Sequence, residues 1–264
     1  MSQMDQLFSL EGRRALVTGG AGPLGSVLAD ALAAQGCEVL ISDISPDACH
    51  AVAEDLSARH GVPARGIPSN LLDADGTAIL ADAVGERLDI LINNAAFTGT
   101  SGVPGYAVPF EEQSDDAFSL ASELNLRVPF SLARRLAPKL SGSAGGSIIN
   151  VSSIYGLVGP NMGLYEGTRM GNPAAYGATK GGIVQLTRYL STVLAPRVRV
   201  NAFAPGGIAR GQDESFTERY EKLTPLGRMA TEDDFRGVAV WLASDASRYV
   251  TGQTIAVDGG WSAW

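Results

Sequence analysis

The segment TGGAGPLG (18–25) constrains the fold of this chain more than any other. It joins a short apolar run, RALVT (14–18), to the Ala/Leu-rich stretch LGSVLADALAAQG (24–36). A glycine-rich turn with a strand before it and a helix after it marks a β-α unit. Read as G-x-G-x-x-G, its glycines are Gly20, Gly22 and Gly25. Glycines let the backbone turn tightly and approach a pyrophosphate, and the helix N-terminus adds N–H donors and partial positive charge. Pro23 looks out of place in such a turn, but at the first helical position its missing N–H and fixed φ cost little. The expectation is a nucleotide-binding turn.

The same alternation continues along the chain. CEVLISD (37–43) reads as a strand. The next helix has Ser45 as N-cap, Pro46 at its first position and Gly61 as its stop. PARGIPS is a weaker strand, followed by a helix from about 73 to 85 and the strand LDILINN (88–94). Region 97–113 reads as a loop and 114–140 as one long helix. GSIINVS (146–152) is a strand, and 156–173 is irregular, with five glycines and two prolines. The helix AAYGATKGGIVQLTRYLSTVLA precedes the strand RVRVNAFAP (197–205). A polar, charged segment (206–224), a helix at about 231–243 and the strand QTIAVDG complete the chain. No internal repeat or dividing linker interrupts this order. It predicts an α/β fold: a doubly wound, mostly parallel sheet with helices on both faces and right-handed crossovers, as a single domain over 1–264.

Composition narrows the function classes. With 45% hydrophobic residues in 264, a large core is available. A net charge of -8 with no basic stripe argues against nucleic acid and against an anionic membrane surface. Cys37 and Cys49 form no disulfide framework and fit a reducing compartment. His50 and His60 are too few and too isolated to argue for a metal site. No apolar run approaches the ~18 residues of a membrane span. The N-terminus lacks a charged-then-apolar leader pattern. A soluble, cytoplasmic protein is expected.

The second strand ends in ISD, which puts Asp43 18 residues after Gly25. An acid at that tip can accept both ribose hydroxyls and repels a 2′-phosphate. No Arg or Lys lies in the glycine turn or beside Asp43. NAD is therefore expected in preference to NADP.

Between Ser152 and Lys180, two tyrosines have a cation four residues on: Tyr165 with Arg169, and Tyr176 with Lys180. Hydride exchange between an alcohol or ketone and nicotinamide also needs a proton donor or acceptor. A free tyrosine, with pKa ~10, is a poor base near neutrality. An ammonium one helical turn away would lower that value. Tyr176 and Lys180 begin a helical pattern, whereas Gly163, Gly167, Gly171 and Pro173 break one around Tyr165. Arg169 also stays charged at any relevant pH and cannot relay a proton. Tyr176 is therefore the candidate acid/base. In NVSS, alternation puts Ser152 and Ser153 on opposite faces, so only one can face the cleft easily.

With these residues in view, the chain resembles the short-chain dehydrogenase/reductase family over nearly its whole length. The matching segments are TGGAGPLG, NNAA (93–96), NLR (125–127), NVSSIYG (150–156), YGATK (176–180), PGGI (205–208) and VDGG (257–260). The resemblance implies a sheet of seven parallel strands and a homotetramer or homodimer. It implies that Ser153 orients the substrate oxygen and that Tyr176 is the general acid/base. Lys180 would lower the Tyr176 pKa and bind the nicotinamide ribose, and Asn125 would hold a water linking Lys180 to solvent. Implied cofactor contacts fall at Gly19, Gly22, Leu24, Asp43, Asn70, Leu71, Asn94, Ala95, Tyr176, Lys180 and Ile208.

Three departures stand out. The glycine turn has the T-G-x-x-G-x-x-G spacing of the larger nucleotide-sugar epimerases and dehydratases, although the chain ends after VDGG as single-domain members do. Arg210 replaces a usual threonine. The Ser153-to-Tyr176 gap is 23 residues where about 13 is usual, so 157–173 reads as an insertion beside the active site. Similar insertions occur in oxidoreductases linked to flagellin or surface-sugar modification, and the chain also resembles sugar and sugar-acid dehydrogenases. Arg169 and Arg210 then suit a hydroxyl-rich, anionic substrate, with 157–173 and 206–224 covering it. The expected function is NAD-dependent interconversion of a secondary alcohol and a ketone. Two alternatives are an NAD-recycling epimerase or dehydratase and a non-catalytic dinucleotide sensor.

Overall fold

The computed structural model describes residues 2–143 and 145–264; Met1 and Ala144 lie outside the described residues. Seven strands form one parallel sheet: β1 (Arg14–Thr18), β2 (Glu38–Ser42), β3 (Ala64–Gly66), β4 (Ile90–Asn93), β5 (Gly146–Val151), β6 (Val198–Pro205) and β7 (Thr254–Val257). Their order is β3-β2-β1-β4-β5-β6-β7. The order reverses between β1 and β4, and in folds of this kind ligands bind beyond the carboxyl ends of the strands at such a point. The doubly wound expectation holds.

Helices α1 (Gln3–Phe8), α2 (Pro23–Ala33), α3 (Pro46–His60) and α4 (Gly76–Ala83) belong to the N-terminal half, and α5 (Asp115–Ser122), α6 (Val128–Ser141), α7 (Ala174–Val193), α8 (Glu214–Lys222) and α9 (Arg236–Ala243) follow. Strand alternation explains the two cores. Ala15, Val17, Val39, Ile41, Ile90 and Ile92 pack with α2, α3 and α9 on one face. Leu16, Leu40, Leu91 and Ile148 pack with α4 and α6 on the other. Both faces are covered, so the strands read as continuous apolar runs.

Local chemistry set several boundaries where expected. The Ser45 hydroxyl accepts from Ala48 N–H at 3.3 Å, Pro46 opens α3, and Gly61 closes it with φ 68°. Three elements differ from expectation. The long helix at 114–140 is broken by a π-helical turn at Glu123–Arg127. The polar segment 206–224 contains α8, capped by Asp213, whose side chain accepts from Ser215 N–H. The N-terminus forms α1 through a reciprocal cap between Ser2 and Asp5.

Helix α2 carries the glycine turn and is fixed from behind. The nearly buried Asp30 carboxylate meets His60 at 2.6 Å, Arg59 at 2.6 Å and also Arg236. Burial opposes its charge, yet these hydrogen bonds hold its pKa down at about 2.

Candidate active site

The glycine turn is shaped by close approach of backbone to backbone. A Cβ on Gly25 would lie 2.0 Å from the Gly19 carbonyl oxygen, so α2 can start only with glycine there. Gly19 has φ 61°, and a Cβ on it would strike Ala95 and the Asn94 amide. Asn94 Nδ2 donates to the Thr18 and Gly19 carbonyls, both at 3.0 Å, and the Thr18 hydroxyl accepts from Asn94 N–H and Ala95 N–H. Gly22 caps α2 without a side-chain bond, and Pro23 occupies its first turn. The N–H groups of that turn are thus left for an anion.

Most of the other expected cofactor positions follow the carboxyl ends of β2, β3 and β6. Asp43 sits at the tip of β2, where Oδ2 accepts from Ala21 N–H at 3.1 Å and Oδ1 from Ile44 N–H at 2.8 Å. Leu24 lies on the first turn of α2. Asn70 Nδ2 donates to Asp73 at 2.7 Å, beside the buried Leu71. Ile208 follows β6 and pairs with Ala230 in an isolated parallel bridge. The turn, its uncapped helix and the carboxylate at the rim together fit a dinucleotide.

Next to this cradle, β5 and α7 bring together Ser153, Tyr176 and Lys180. Strand alternation separates the two serines as expected. Ser152 Oγ donates backwards to the Lys180 carbonyl at 3.0 Å, leaving Ser153 beside the Tyr176 phenol. Burial raises the Tyr176 pKa above its ordinary value; the Ser153 hydroxyl opposes that rise, Tyr165 adds to it and Arg210 opposes it. The buried Lys180 donates through Nζ to the Val151 carbonyl at 2.8 Å, and Nζ lies 5.7 Å from the Tyr176 ring centroid. Burial pushes the Lys180 ammonium down to about 8.

Lys180 Nζ bonds the Val151 carbonyl rather than the phenolic oxygen, and burial sets the upward direction of the Tyr176 shift.

Asn125 lies in the π-helical turn. Its Oδ1 accepts from Phe97 N–H at 2.7 Å, and its Nδ2 donates to Phe97 O and to Thr179 Oγ1, both at 3.2 Å. It ties the loop after β4 to α7 one residue before Lys180, without bonding Lys180 itself. The buried Tyr106, from a stretch read only as loop, packs against Tyr176.

The insertion lies across α8. Leu164 and the rings of Tyr165, Tyr155, Phe216, Tyr220 and Trp261 form one apolar cluster. Arg219 of α8 donates to the carbonyls of Gly163, Leu164 and Glu166 at 3.3, 3.1 and 2.7 Å. The two arginines expected near substrate differ. Arg210 Nε pairs with Glu232 at 2.8 Å. Arg169 is exposed and makes no ion pair among the described residues.

A family model described as enoyl-(acyl carrier protein) reductase matches residues 20–262. The chain belongs to the short-chain dehydrogenase/reductase family. It is 31% identical over 261 residues to 3-oxoacyl-(acyl-carrier-protein) reductase of Aquifex aeolicus, covering 96% of this chain and 98% of that one. It is 32% identical to the probable galactose dehydrogenase of Rhizobium meliloti, covering 97% of each. A gluconate 5-dehydrogenase from Burkholderia cenocepacia, solved with NADP and tartrate, superposes with a TM-score of 0.87 at 28% identity, covering 99% of this chain and 100% of that one. As a short-chain dehydrogenase/reductase, the protein is an NAD(P)-dependent oxidoreductase. No helix among the described residues is long and apolar enough to cross a membrane.

Proposed function

We propose that this short-chain dehydrogenase/reductase interconverts a secondary alcohol and a ketone on a sugar, a sugar acid or another hydroxyl-rich molecule. The convergence of Ser153, Tyr176 and Lys180 beside the glycine turn carries this reading. A nicotinamide dinucleotide bound at that turn supplies or accepts the hydride. Ser153 holds the substrate oxygen, and the neutral Tyr176 phenol protonates it during reduction or takes its proton during oxidation. Lys180 keeps Tyr176 positioned and binds the nicotinamide ribose, and Asn125 fixes the backbone around it. Gly19, Gly22, Leu24, Asn70, Leu71, Asn94, Ala95 and Ile208 line the cofactor.

NAD is the proposed cofactor, on the strength of the Asp43 carboxylate. The gluconate 5-dehydrogenase relative was solved with NADP, so the preference is a property to be measured for this chain. The sugar reading rests on the galactose and gluconate dehydrogenase relatives and on the polar insertion. Arg210, coupled to Tyr176 and paired with Glu232, and the exposed Arg169 are the proposed anion contacts.

The proposed assembly is a homotetramer or homodimer. A groove of about 980 Å³ lies between α5, α6 and α7, lined by Phe118, Leu126, Phe130, Leu186 and Tyr189. Phe118, Phe130 and Tyr189 are exposed there, an apolar face suited to a second copy.

NADH formation at 340 nm across polyols, aldoses, sugar acids, sugar phosphates and nucleotide sugars tests the reading. Turnover confined to one class is the expected result. NAD binding without turnover on any of them would overturn it in favour of an epimerase or a sensor.

A further inference from the structure

The insertion places the Tyr165 hydroxyl against that of Tyr155, two residues after Ser153. Tyr155 Oη and Tyr165 Oη lie 2.9 Å apart, and Asn172 Nδ2 donates to Tyr165 Oη at 3.3 Å. Both rings are held firmly. Tyr155 meets Trp261 edge-on with centroids 6.2 Å apart, and Tyr165 packs on Phe216 at 5.3 Å. Arg219 fixes the backbone that carries Tyr165 through its bonds to Gly163, Leu164 and Glu166. This is a preorganised polar pair inside an otherwise apolar cluster, where an unused donor is costly.

Counting hydrogens shows what the pair can offer. Each phenol has one O–H, and the bond between the two consumes one of them. Asn172 adds a donor and takes none of the phenolic hydrogens. One O–H of the pair therefore remains without an acceptor among the described residues. When Tyr155 donates to Tyr165, the spare hydrogen belongs to Tyr165, and Tyr155 is tied to the candidate active-site serine by its N–H, which donates to Ser153 Oγ at 3.2 Å. The Asn172 Oδ1 likewise has no donor among the described residues. A spare O–H and a spare amide oxygen match a substrate hydroxyl, which both accepts and donates.

We propose that Tyr165, set by Tyr155 and Asn172, is a specificity-determining residue that hydrogen-bonds a substrate hydroxyl on the carbon next to the one oxidised or reduced. This rests on Tyr176 marking the reacting carbon. Tyr165 thus has a role in reading the substrate rather than in moving its proton. Arg169 makes no hydrogen bond to the Tyr165 hydroxyl among the described residues, so the polar setting of Tyr165 comes from Tyr155 and Asn172.

The test compares kcat/KM for cyclohexane-1,2-diol and for cyclohexanol, with NAD, in the wild type, Tyr165→Phe and Tyr155→Phe. Each substitution keeps the ring and its packing and removes only the hydroxyl. The wild type is expected to favour the diol by about 10-fold or more, and both variants to bring that ratio to within about twofold of unity. A structural defect would lower both substrates together and leave the ratio intact. An intact ratio in both variants, or a wild type without preference for the diol, overturns the subsite while leaving alcohol oxidation standing. A wild type that oxidises neither alcohol, with NAD binding confirmed, overturns the alcohol dehydrogenase reading and the subsite with it.

Discussion

Two tyrosines in this chain are each followed four residues on by a cation, and their surroundings give them different chemistry. Tyr176 lies on α7, where i and i+4 share a face, and its partner Lys180 is buried with Nζ over the ring. Tyr165 ends a single 3-10 turn, and its partner Arg169 points to solvent without an ion pair among the described residues. Spacing alone therefore carries no catalytic meaning. Under the proposed function, the pair works only where a helix fixes its geometry and burial makes the charge matter.

The largest way to break this contrast is to remove the buried cation. Lys180→Met is expected to lower turnover by at least about 100-fold, because the group that positions Tyr176 is lost. It is also expected to raise thermal stability at pH 7. The Lys180 ammonium is held down at about 8 by burial, below the 10.5 of an exposed lysine. The wild type therefore bears the full desolvation penalty below pH 8 and sheds it between about 8 and 10.5 as the folded amine deprotonates first. The stability advantage of the variant should shrink on going from pH 7 to pH 9. Thermal unfolding at the two pH values reads this, and an unchanged difference would contradict the burial account.

A smaller effect is expected at the cofactor rim. Asp43→Asn removes the charge that repels a 2′-phosphate, and the ratio of kcat/KM for NADP over NAD should rise by about 10-fold. No change in the ratio would show that the carboxylate does not discriminate. Smaller still is Arg219→Ala, which frees the insertion from α8. The expected cost is about 1 kcal/mol in chemical unfolding, since the half-buried Arg219 gives up its hydrogen bonds to the insertion's carbonyls, together with a rise in KM. A fall in kcat at constant KM would contradict the assigned role.

The two sides of the cleft also differ in how far they could be read from sequence. The cofactor side was legible, because glycine spacing, strand alternation and the caps at Ser45 and Gly61 are local signals that the fold preserves. Strand alternation left Ser152 and Ser153 open and the family resemblance singled out Ser153, while Tyr176 followed from helical spacing. The substrate side was less legible because its structure is built from distant partners. The π-helical turn exists where Asn125 meets Phe97 and Thr179, and no short segment announces it. Tyr106 is buried against Tyr176 from within a stretch whose glycines and prolines read as loop. α8 did leave a signal: Asp213 as a cap, with Phe216 and Tyr220 four apart, hidden by the charges between them. Spacing shows the cation near Tyr176 but not the burial that pushes the phenol's pKa up.

The most direct measurement places the two tyrosines side by side: NADH formation by Tyr176→Phe and Tyr165→Phe on the best substrate from the panel. Loss of about 10²–10⁴ in kcat for Tyr176→Phe, with measurable turnover kept by Tyr165→Phe, is the predicted result. An active Tyr176→Phe beside an inactive, folded Tyr165→Phe would contradict the assignment of the acid/base.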